Sequence, residues 1–319
     1  SFPFVSLASG LLFLESRAIA QDVPSRGHNA LQVVRQRGVS RIALVSAAGV
    51  FVAAQLLLPL RPFVLSDDVS WTRLGNEFAW RLMADTTDGW LTLTIGHAHT
   101  RAVTVHPMTS GAPVTLTQHA IQQILASSLL LEQYAQAEMR AHCTELERRV
   151  APAPGAQCEL LQVHAECWKS VNGRPFQRWC DPSVDVARSS LGAARVGTPP
   201  WMLPRSRGSV AEDAAIMAAD AWRERGYVVE AFLDAPVRPA YRDQVLPSSG
   251  YREATLICVH GRIALAAGAE APAAATSDHA ANEAELLEPG AMVPLRIGAW
   301  HTVRNAHPHE PSSWLYVMR

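Results

Sequence analysis

Lysine is almost absent from this chain: of its 28 basic residues, one is Lys169 and the other 27 are arginine. Because arginine is effectively never deprotonated, a reaction that needs a lysine base has a single candidate here. A lone lysine at the end of a strand-like segment is usually solvated, so we do not expect Lys169 to act as a base.

An excess of charge of one sign is also lacking. The 28 basic residues face 29 acidic ones, and this balance excludes the basic surface of a nucleic-acid-binding protein. Glycine-rich phosphate loops are absent, and no nucleophile with a nearby base and acid marks a serine or cysteine hydrolase.

Two uncharged runs stand near the start of the chain. The run Ser1–Leu14 holds fourteen residues, fewer than the roughly 20 that cross a bilayer, and we interpret it as the end of a membrane helix that begins upstream. The run Ile42–Leu60 holds nineteen residues between Arg41 and Arg61 and is apolar on every face. It predicts a transmembrane helix, with a buried helix as the alternative.

The segment between these runs is rich in arginine, which is typical of a cytoplasmic loop. Everything after Arg61 is therefore expected in a lumen or periplasm, so the sequence predicts an integral membrane protein of the endoplasmic reticulum or of a bacterium. Five cysteines lie on that side, where disulfides persist. Their odd number leaves at least one unpaired within the chain, and Cys143 with Cys158 is the first pair to test.

The remaining chain predicts two units after a membrane segment at residues 1–65. Within residues 66–205, apolar and polar residues alternate at period two in Trp90–Ile95 and Arg101–Pro107, which predicts two strands. A helix that begins after Thr117 follows. Residues 206–319 open with a capping box at Ser209 and Glu212 and continue as short strands. The fold class is thus α+β: one transmembrane helix, a mixed α/β domain and a small antiparallel β-roll or sandwich of cupin type.

Histidines raise the question of a metal. His97 and His99 form an HxH pattern, and "GAWHTVRN" around His301 is similar to the second cupin motif. A metal site needs three or four convergent ligands. Because the upstream cupin motif has no counterpart near His301, we expect no metal and interpret His301 as a loop residue; a metal-dependent cupin stays an alternative.

Three tracts carry a resemblance to a known family: "QLLLPLRPFVLSDDVSWTRLGNEFAWRLM", "VHAECWKSVNGRPFQRWCDPSVDVA" and "TPPWMLP". Their order resembles the C-terminal half of the vitamin K-dependent γ-glutamyl carboxylases and their bacterial membrane relatives. The resemblance extends over nearly the whole chain and is most specific at Leu57–Met83 and Val163–Ala187.

The resemblance implies an enzyme that uses vitamin K hydroquinone, O2 and CO2 to carboxylate glutamate in a peptide substrate, with membrane lipid around it and no nucleic acid or metal. In that family the segment matching Ser70–Met83 contributes to the glutamate site. The resemblance implies that the glutamate site here includes Trp71, Trp80 and Arg81 of this segment, together with Arg61.

The second tract contains the family signature. Asn172-Gly173 is a strong two-residue hairpin signal, so Val163–Lys169 and Pro175–Trp179 are expected to pair as antiparallel strands. The signature residues are expected to be structural rather than catalytic; they are Asn172, Gly173, Arg174, Asp181, Pro182 and Asp185.

One residue departs from the family pattern: Pro62 stands where relatives commonly have histidine. The family's catalytic lysine is expected in the part that precedes Ser1, so no catalytic residue is assigned within this chain, and these residues alone are not expected to catalyse. A membrane relative that has lost carboxylation and serves as a binding module is the main alternative.

Overall fold

The computed structural model describes residues 46–47, 49–54, 57, 68–74, 85–97, 103–107, 117–149, 158–188, 197–236, 238, 240–244, 249–267 and 284–319. The chain divides into two units: residues 1–65 with 75–82, and residues 66–74 with 83–319. All described residues from residue 68 onward belong to the second unit.

The predicted transmembrane helix is wrong. Residues 46–47, 49–54 and 57 are helical, but no helix in the described part of the chain is long and apolar enough to cross a membrane. The prediction rested on a count of uncharged residues along Ile42–Leu60, and such a count does not by itself establish a spanning helix. The fold class and the location that assumed an integral membrane protein are corrected with it.

The second unit is rich in strands. Its α-helices are α1 Val69–Thr72, α2 Gln118–Leu125, α3 Ser128–Arg149 and α4 Val210–Arg223. The strands before α4 are β1 Thr87–His97, β2 Val103–Pro107, β3 Leu161–Val171 and β4 Phe176–Arg178. The strands after α4 are β5 Val228–Asp234, β6 Tyr241–Gln244, β7 Ala254–His260, β8 Ile263–Ala267, β9 Glu285–Leu287, β10 Met292–Leu295, β11 Trp300–Asn305 and β12 Ser312–Met318.

These strands form two sheets. One has eight strands in the order β10-β7-β12-β5-β4-β3-β1-β2, and the other has four in the order β6-β11-β8-β9. Pairing is antiparallel except between β4 and β5, where Phe176 lies opposite Phe232. Through this pair the larger sheet continues from strands before residue 205 to strands after it.

Alternating strand residues build separate cores on the two faces of the large sheet. One core places Leu91, Leu93 and Ile95 of β1 with α2 and α3 residues such as Ile121 and Leu131. A second, aromatic core joins the two sheets into a roll and includes Trp168, Phe232, Tyr241, Trp314 and Tyr316. A third packs α4 against β5, β7 and β12.

The local signals in the sequence are confirmed at the helix starts. Thr117 caps α2, and its Oγ1 accepts a hydrogen bond from the Ala120 N–H at 3.2 Å. Ser209 caps α4, and its Oγ accepts from the Glu212 N–H at 3.1 Å. Each cap satisfies a backbone donor that has no partner inside the helix.

The predicted hairpin and the first disulfide are also confirmed. Asn172 and Gly173 have φ values of 56° and 71°, the left-handed region required by a tight hairpin, and Lys169 lies opposite Gln177. Cys143 is bonded to Cys158, and a second disulfide joins Cys167 to Cys180. Cys258 is buried with a free thiol.

Candidate functional site

Trp71 lies on the short helix α1, which begins at the Asp68 cap. The Asp68 carboxylate accepts from the Trp71 N–H at 3.0 Å, and the indole Nε1 donates to the Leu203 carbonyl at 2.8 Å. The side chain is fully buried. Trp71 therefore fixes the position of its neighbours Ser70 and Thr72 rather than presenting an open aromatic wall.

The lone lysine lies beneath this tryptophan. Lys169 is 0 % exposed, and its Nζ donates to the Trp71 carbonyl at 2.7 Å and lies 4.4 Å from the centre of the Trp179 ring. Burial, with a further contribution from nearby Arg73 and Arg205, lowers the pKa of Lys169 well below its usual value. The expectation that this lysine is solvated is wrong.

We expect Lys169→Met to remove a pH dependence of stability. The pKa of Lys169 is lower in the folded chain than in the unfolded chain. Between these two pKa values the unfolded chain binds a proton that the folded chain does not. Relative to the variant, wild-type stability should rise with pH, by up to about 1.4 kcal/mol per pH unit, as the pH increases from the lowered folded-state pKa toward the unfolded-state pKa of about 10.4. Urea unfolding at several pH values measures this difference; Gln162→Met on the same strand is the control and should track wild type.

A polar cavity of about 200 Å³ opens beside these residues. We call it the arginine cavity, because three of its six lining residues are arginine; they are Ser70, Val171, Asn172, Arg174, Arg205 and Arg207. Asn172 and Arg174 are signature residues on the β3–β4 hairpin. Ser70 comes from α1, and the segment before α4 supplies Arg205 and Arg207.

Two carboxylates hold the arginines in place. The buried Glu212 Oε1 lies 3.3 Å from Arg174 Nη1 and 3.6 Å from Arg205 Nη2. Its Oε2 accepts from the Gly208 N–H at 2.8 Å, so the acid of the predicted capping box also organises the cavity. Asp68 forms an ion pair with Arg207.

The sequence did not single out Arg205 and Arg207, because the Pro-rich segment that contains them was interpreted as a domain boundary. The sequence contains a signal for them, because Arg205 and Arg207 lie on either side of Ser206, shortly before the capping box that begins at Ser209. Such a position brings cations to the start of a helix, where backbone N–H groups already favour anions.

A second cavity of about 300 Å³ adjoins the first and shares Asn172 and Arg174 with it. Its remaining lining comes from the hairpin, α4 and β5, and combines small or apolar residues with one ion pair. These residues are Gly173, Pro175, Ile216, Ala219, Asp220, Arg223 and Ala231.

The other signature residues contact backbone and surface groups. Asp181 accepts from the Ser183 N–H at 3.0 Å and Oγ at 2.6 Å and pairs with Arg238; although burial acts to raise its pKa, these partners leave that pKa lowered. Asp185 accepts from the N–H of Val163 at 3.2 Å. Pro182 occupies the turn between the two acids.

An ion triad, in which Arg178 and Asp234 are buried and Glu166 is 28 % exposed, crosses the sheet near the hairpin and was not predicted. Arg178 Nη1 lies 2.8 Å from Glu166 Oε1, and its Nη2 lies 3.2 Å from Asp234 Oδ2. The guanidinium also stacks 4.7 Å from the centre of the Trp168 ring. Arg178 therefore connects β3, β4 and β5 and belongs to the structure rather than to the arginine cavity.

The interior of the roll contains a further polar group. His301 lies in β11, not in a loop as predicted, and its Nε2 is 2.8 Å from the Tyr316 hydroxyl.

Glu230 of β5 is a second titratable group. Burial, together with Asp243 and Asp88, raises the pKa of Glu230 to about 7. Within the described ranges, no three histidine, cysteine, aspartate or glutamate side chains are grouped so that they could hold a metal ion.

Several predicted residues lie outside the part of the chain that the structure describes. They include three of the four proposed glutamate-binding residues and the position that departs from the family; these are Arg61, Trp80, Arg81, Pro62 and His99. Of the proposed glutamate-binding residues, the structure therefore places Trp71.

A family model matches residues 40–207, more than half of the chain, and it is described as the lumenal domain of vitamin K-dependent gamma-carboxylase. The match includes the hairpin, Trp71, Lys169 and all six lining residues of the arginine cavity. No curated protein matches this chain significantly.

Three solved structures each match less than a third of this chain. The Drosophila melanogaster CENP-C cupin domain is 13% identical, covers 28% of this chain and 56% of that one, and has a TM-score of 0.22. Hydroxypropylphosphonic acid epoxidase from S. wedmorenis, in complex with fosfomycin, is 16% identical, covers 30% of this chain and 46% of that one, and has a TM-score of 0.23. A protein with a double-stranded β-helix domain from Klebsiella pneumoniae is 17% identical, covers 29% of this chain and 65% of that one, and has a TM-score of 0.21. The chain covers less than two thirds of each, and likenesses this slight carry no functional argument.

Proposed function

We propose that this protein carboxylates glutamate side chains of a peptide, because the chain belongs to the family of vitamin K-dependent gamma-carboxylase lumenal domains. The family match over residues 40–207 is the observation that carries the proposal. In this reaction a proton is removed from the γ-carbon of glutamate, and the resulting carbanion adds to CO2.

Reduced vitamin K, through its reaction with O2, would supply the strong base for this proton removal. Neither cavity described above fits a naphthoquinone, since three guanidinium groups line the smaller one and an Arg223–Asp220 pair lies in the larger one. A quinone ring requires an apolar slot instead. We therefore assign no vitamin K contact and no step through vitamin K to the described residues.

The described residues suit the handling of the peptide. A carboxylate is bound well by paired guanidinium donors, and the arginine cavity provides such donors on a rigid hairpin and helix start. Trp71, Trp80, Arg81 and Arg61 are proposed to form the segment that receives the substrate glutamate. The buried Trp71 would position this segment through its bond to Leu203.

A binding role without carboxylation is the second candidate. It is favoured by Pro62, which stands in place of the histidine that the family commonly has, and which cannot transfer a proton. A metal-dependent cupin reaction is not favoured, because the imidazole of His301 is already bonded to Tyr316 inside the roll.

The test gives the full-length protein reduced vitamin K, O2, labelled bicarbonate and a glutamate-containing peptide. We expect label in the peptide. Matched reactions without reduced vitamin K, or with glutamine replacing glutamate in the peptide, should stay unlabelled. Absence of label from the glutamate peptide, with the protein folded, would overturn the proposal in favour of the binding role.

A further inference from the structure

We infer that the arginine cavity is a docking site for the carboxylate of an acidic side chain on a polypeptide. This site is additional to the segment proposed to receive the glutamate that reacts. The inference rests on the proposed function only in taking the substrate peptide as the source of the carboxylate; carboxylate binding itself follows from the cavity.

The balance of charge around the cavity favours a single negative charge. Three arginines line it, and two carboxylates, Asp68 and Glu212, contact those arginines. Among the described residues, the arginines that line the cavity exceed the carboxylates that contact them by one formal positive charge. A carboxylate neutralises it, whereas a phosphate with close to two negative charges would exceed it.

Arg205 supplies an independent sign that this cavity binds a ligand. Its side chain is only 5 % exposed, yet within the described residues its Nε has no hydrogen-bond partner. A buried N–H without a partner is costly, and native proteins usually satisfy such groups. Burial, with Arg207 and Arg174 adding to it, lowers the pKa of Arg205, and a bound anion would oppose this lowering.

The adjoining cavity explains why a polypeptide fits better than a free ion. It begins at the shared residues Asn172 and Arg174, and Pro175, Ile216 and Ala219 contribute apolar surface to it. An acidic side chain in the arginine cavity would place the neighbouring residues of the same peptide over this second lining. A free anion would leave it uncovered.

Binding is tested with the full-length protein and fluorescent peptides, in the absence of vitamin K and bicarbonate. One peptide has a glutamate flanked by alanine and leucine, a second has glutamine in its place, and a third has phosphoserine. Fluorescence anisotropy gives each Kd. We expect the glutamate peptide to bind about tenfold more tightly than the glutamine peptide, because hydrogen bonds to a charged group are lost.

Arg174→Gln and Arg207→Gln are suitable variants, since both side chains are about half exposed and the buried Glu212 keeps its contacts with Arg205 and the Gly208 N–H. Either should weaken binding of the glutamate peptide about tenfold without affecting the glutamine peptide. Arg262→Gln is the matched control, because Arg262 is an equally exposed arginine paired with Glu288 on the roll. It should leave both Kd values unchanged.

Equal binding of the glutamate and glutamine peptides would overturn the inference. So would tighter binding of the phosphoserine peptide, or an equal loss with Arg262→Gln. Because no carboxylation occurs in this experiment, its failure leaves the proposed reaction standing, and a failed labelling assay leaves the docking site standing.

Discussion

Arg178→Met is expected to lower the free energy of unfolding by about 3–5 kcal/mol, because it removes one partner from the buried Arg178–Asp234 ion pair. Asp234 is 1 % exposed and burial raises its pKa, so without the guanidinium its carboxyl must either stay buried as an unpaired charge or take up a proton, and both cost free energy. The stacking of Arg178 on Trp168 would be lost as well. Urea unfolding at pH 7 measures the change.

The matched control for this prediction is Arg188→Met. Arg188 pairs with Asp185, but its side chain is half exposed, so its loss should cost at most about 1 kcal/mol. Adding Asp234→Asn to Arg178→Met should recover part of the loss by removing the buried charge. Equal effects of Arg178→Met and Arg188→Met would show that the triad does not stabilise the sheet as described.

Glu230→Gln should stabilise the protein at pH 8 by roughly 3 kcal/mol, the free-energy equivalent of raising a pKa from 4.5 to about 7. The folded-state pKa lies above the unfolded value, so the folded chain holds the proton more tightly. The stability that this proton contributes is complete below pH 4.5 and disappears as the pH rises through 7. Glutamine stays neutral and avoids the loss.

The measurement is unfolding by urea from pH 4 to pH 8 for wild type and variant. The two should be almost equally stable near pH 4 and should diverge as the pH rises. Glu285→Gln, at an exposed position of β9, controls for the loss of one negative charge. If Glu230→Gln gave the same difference at every pH, burial of this carboxyl would not be the cause.

The parts of the fold that sequence patterns predicted are those set by neighbouring residues. Asn172-Gly173 specifies its hairpin because both residues accept positive φ, and Thr117 and Ser209 cap helices that begin next to them. The Cys143–Cys158 pair closes a short loop. Each signal acts within a few residues of the structure it determines or across one turn.

The errors concern environments created by distant parts of the chain. Lys169 was expected in water, but α1 and Trp179 enclose it, and the carbonyl that it contacts belongs to a residue 98 positions earlier. The Arg178–Asp234 contact likewise depends on the parallel pairing of β4 with β5. Composition cannot predict such pairing, because a three-residue strand has no strong periodic pattern.

The same distinction applies to the candidate site. Asn172 and Arg174 were noticed because they surround a turn, whereas Arg205 and Arg207 become relevant only when the segment before α4 is placed against the hairpin. The transmembrane prediction failed for another reason. It rested on a count of apolar residues, and no helix among the residues that the structure describes is long and apolar enough to cross a membrane.

The most direct test of the account measures carboxylation by the full-length protein with a peptide carrying two glutamates. For Arg207→Gln, we predict that KM for this peptide rises about tenfold while kcat changes much less, because the lost contact binds the peptide before and during reaction alike. Arg262→Gln should keep both constants at the wild-type value. A fall in kcat with KM unchanged would contradict a docking role for the arginine cavity.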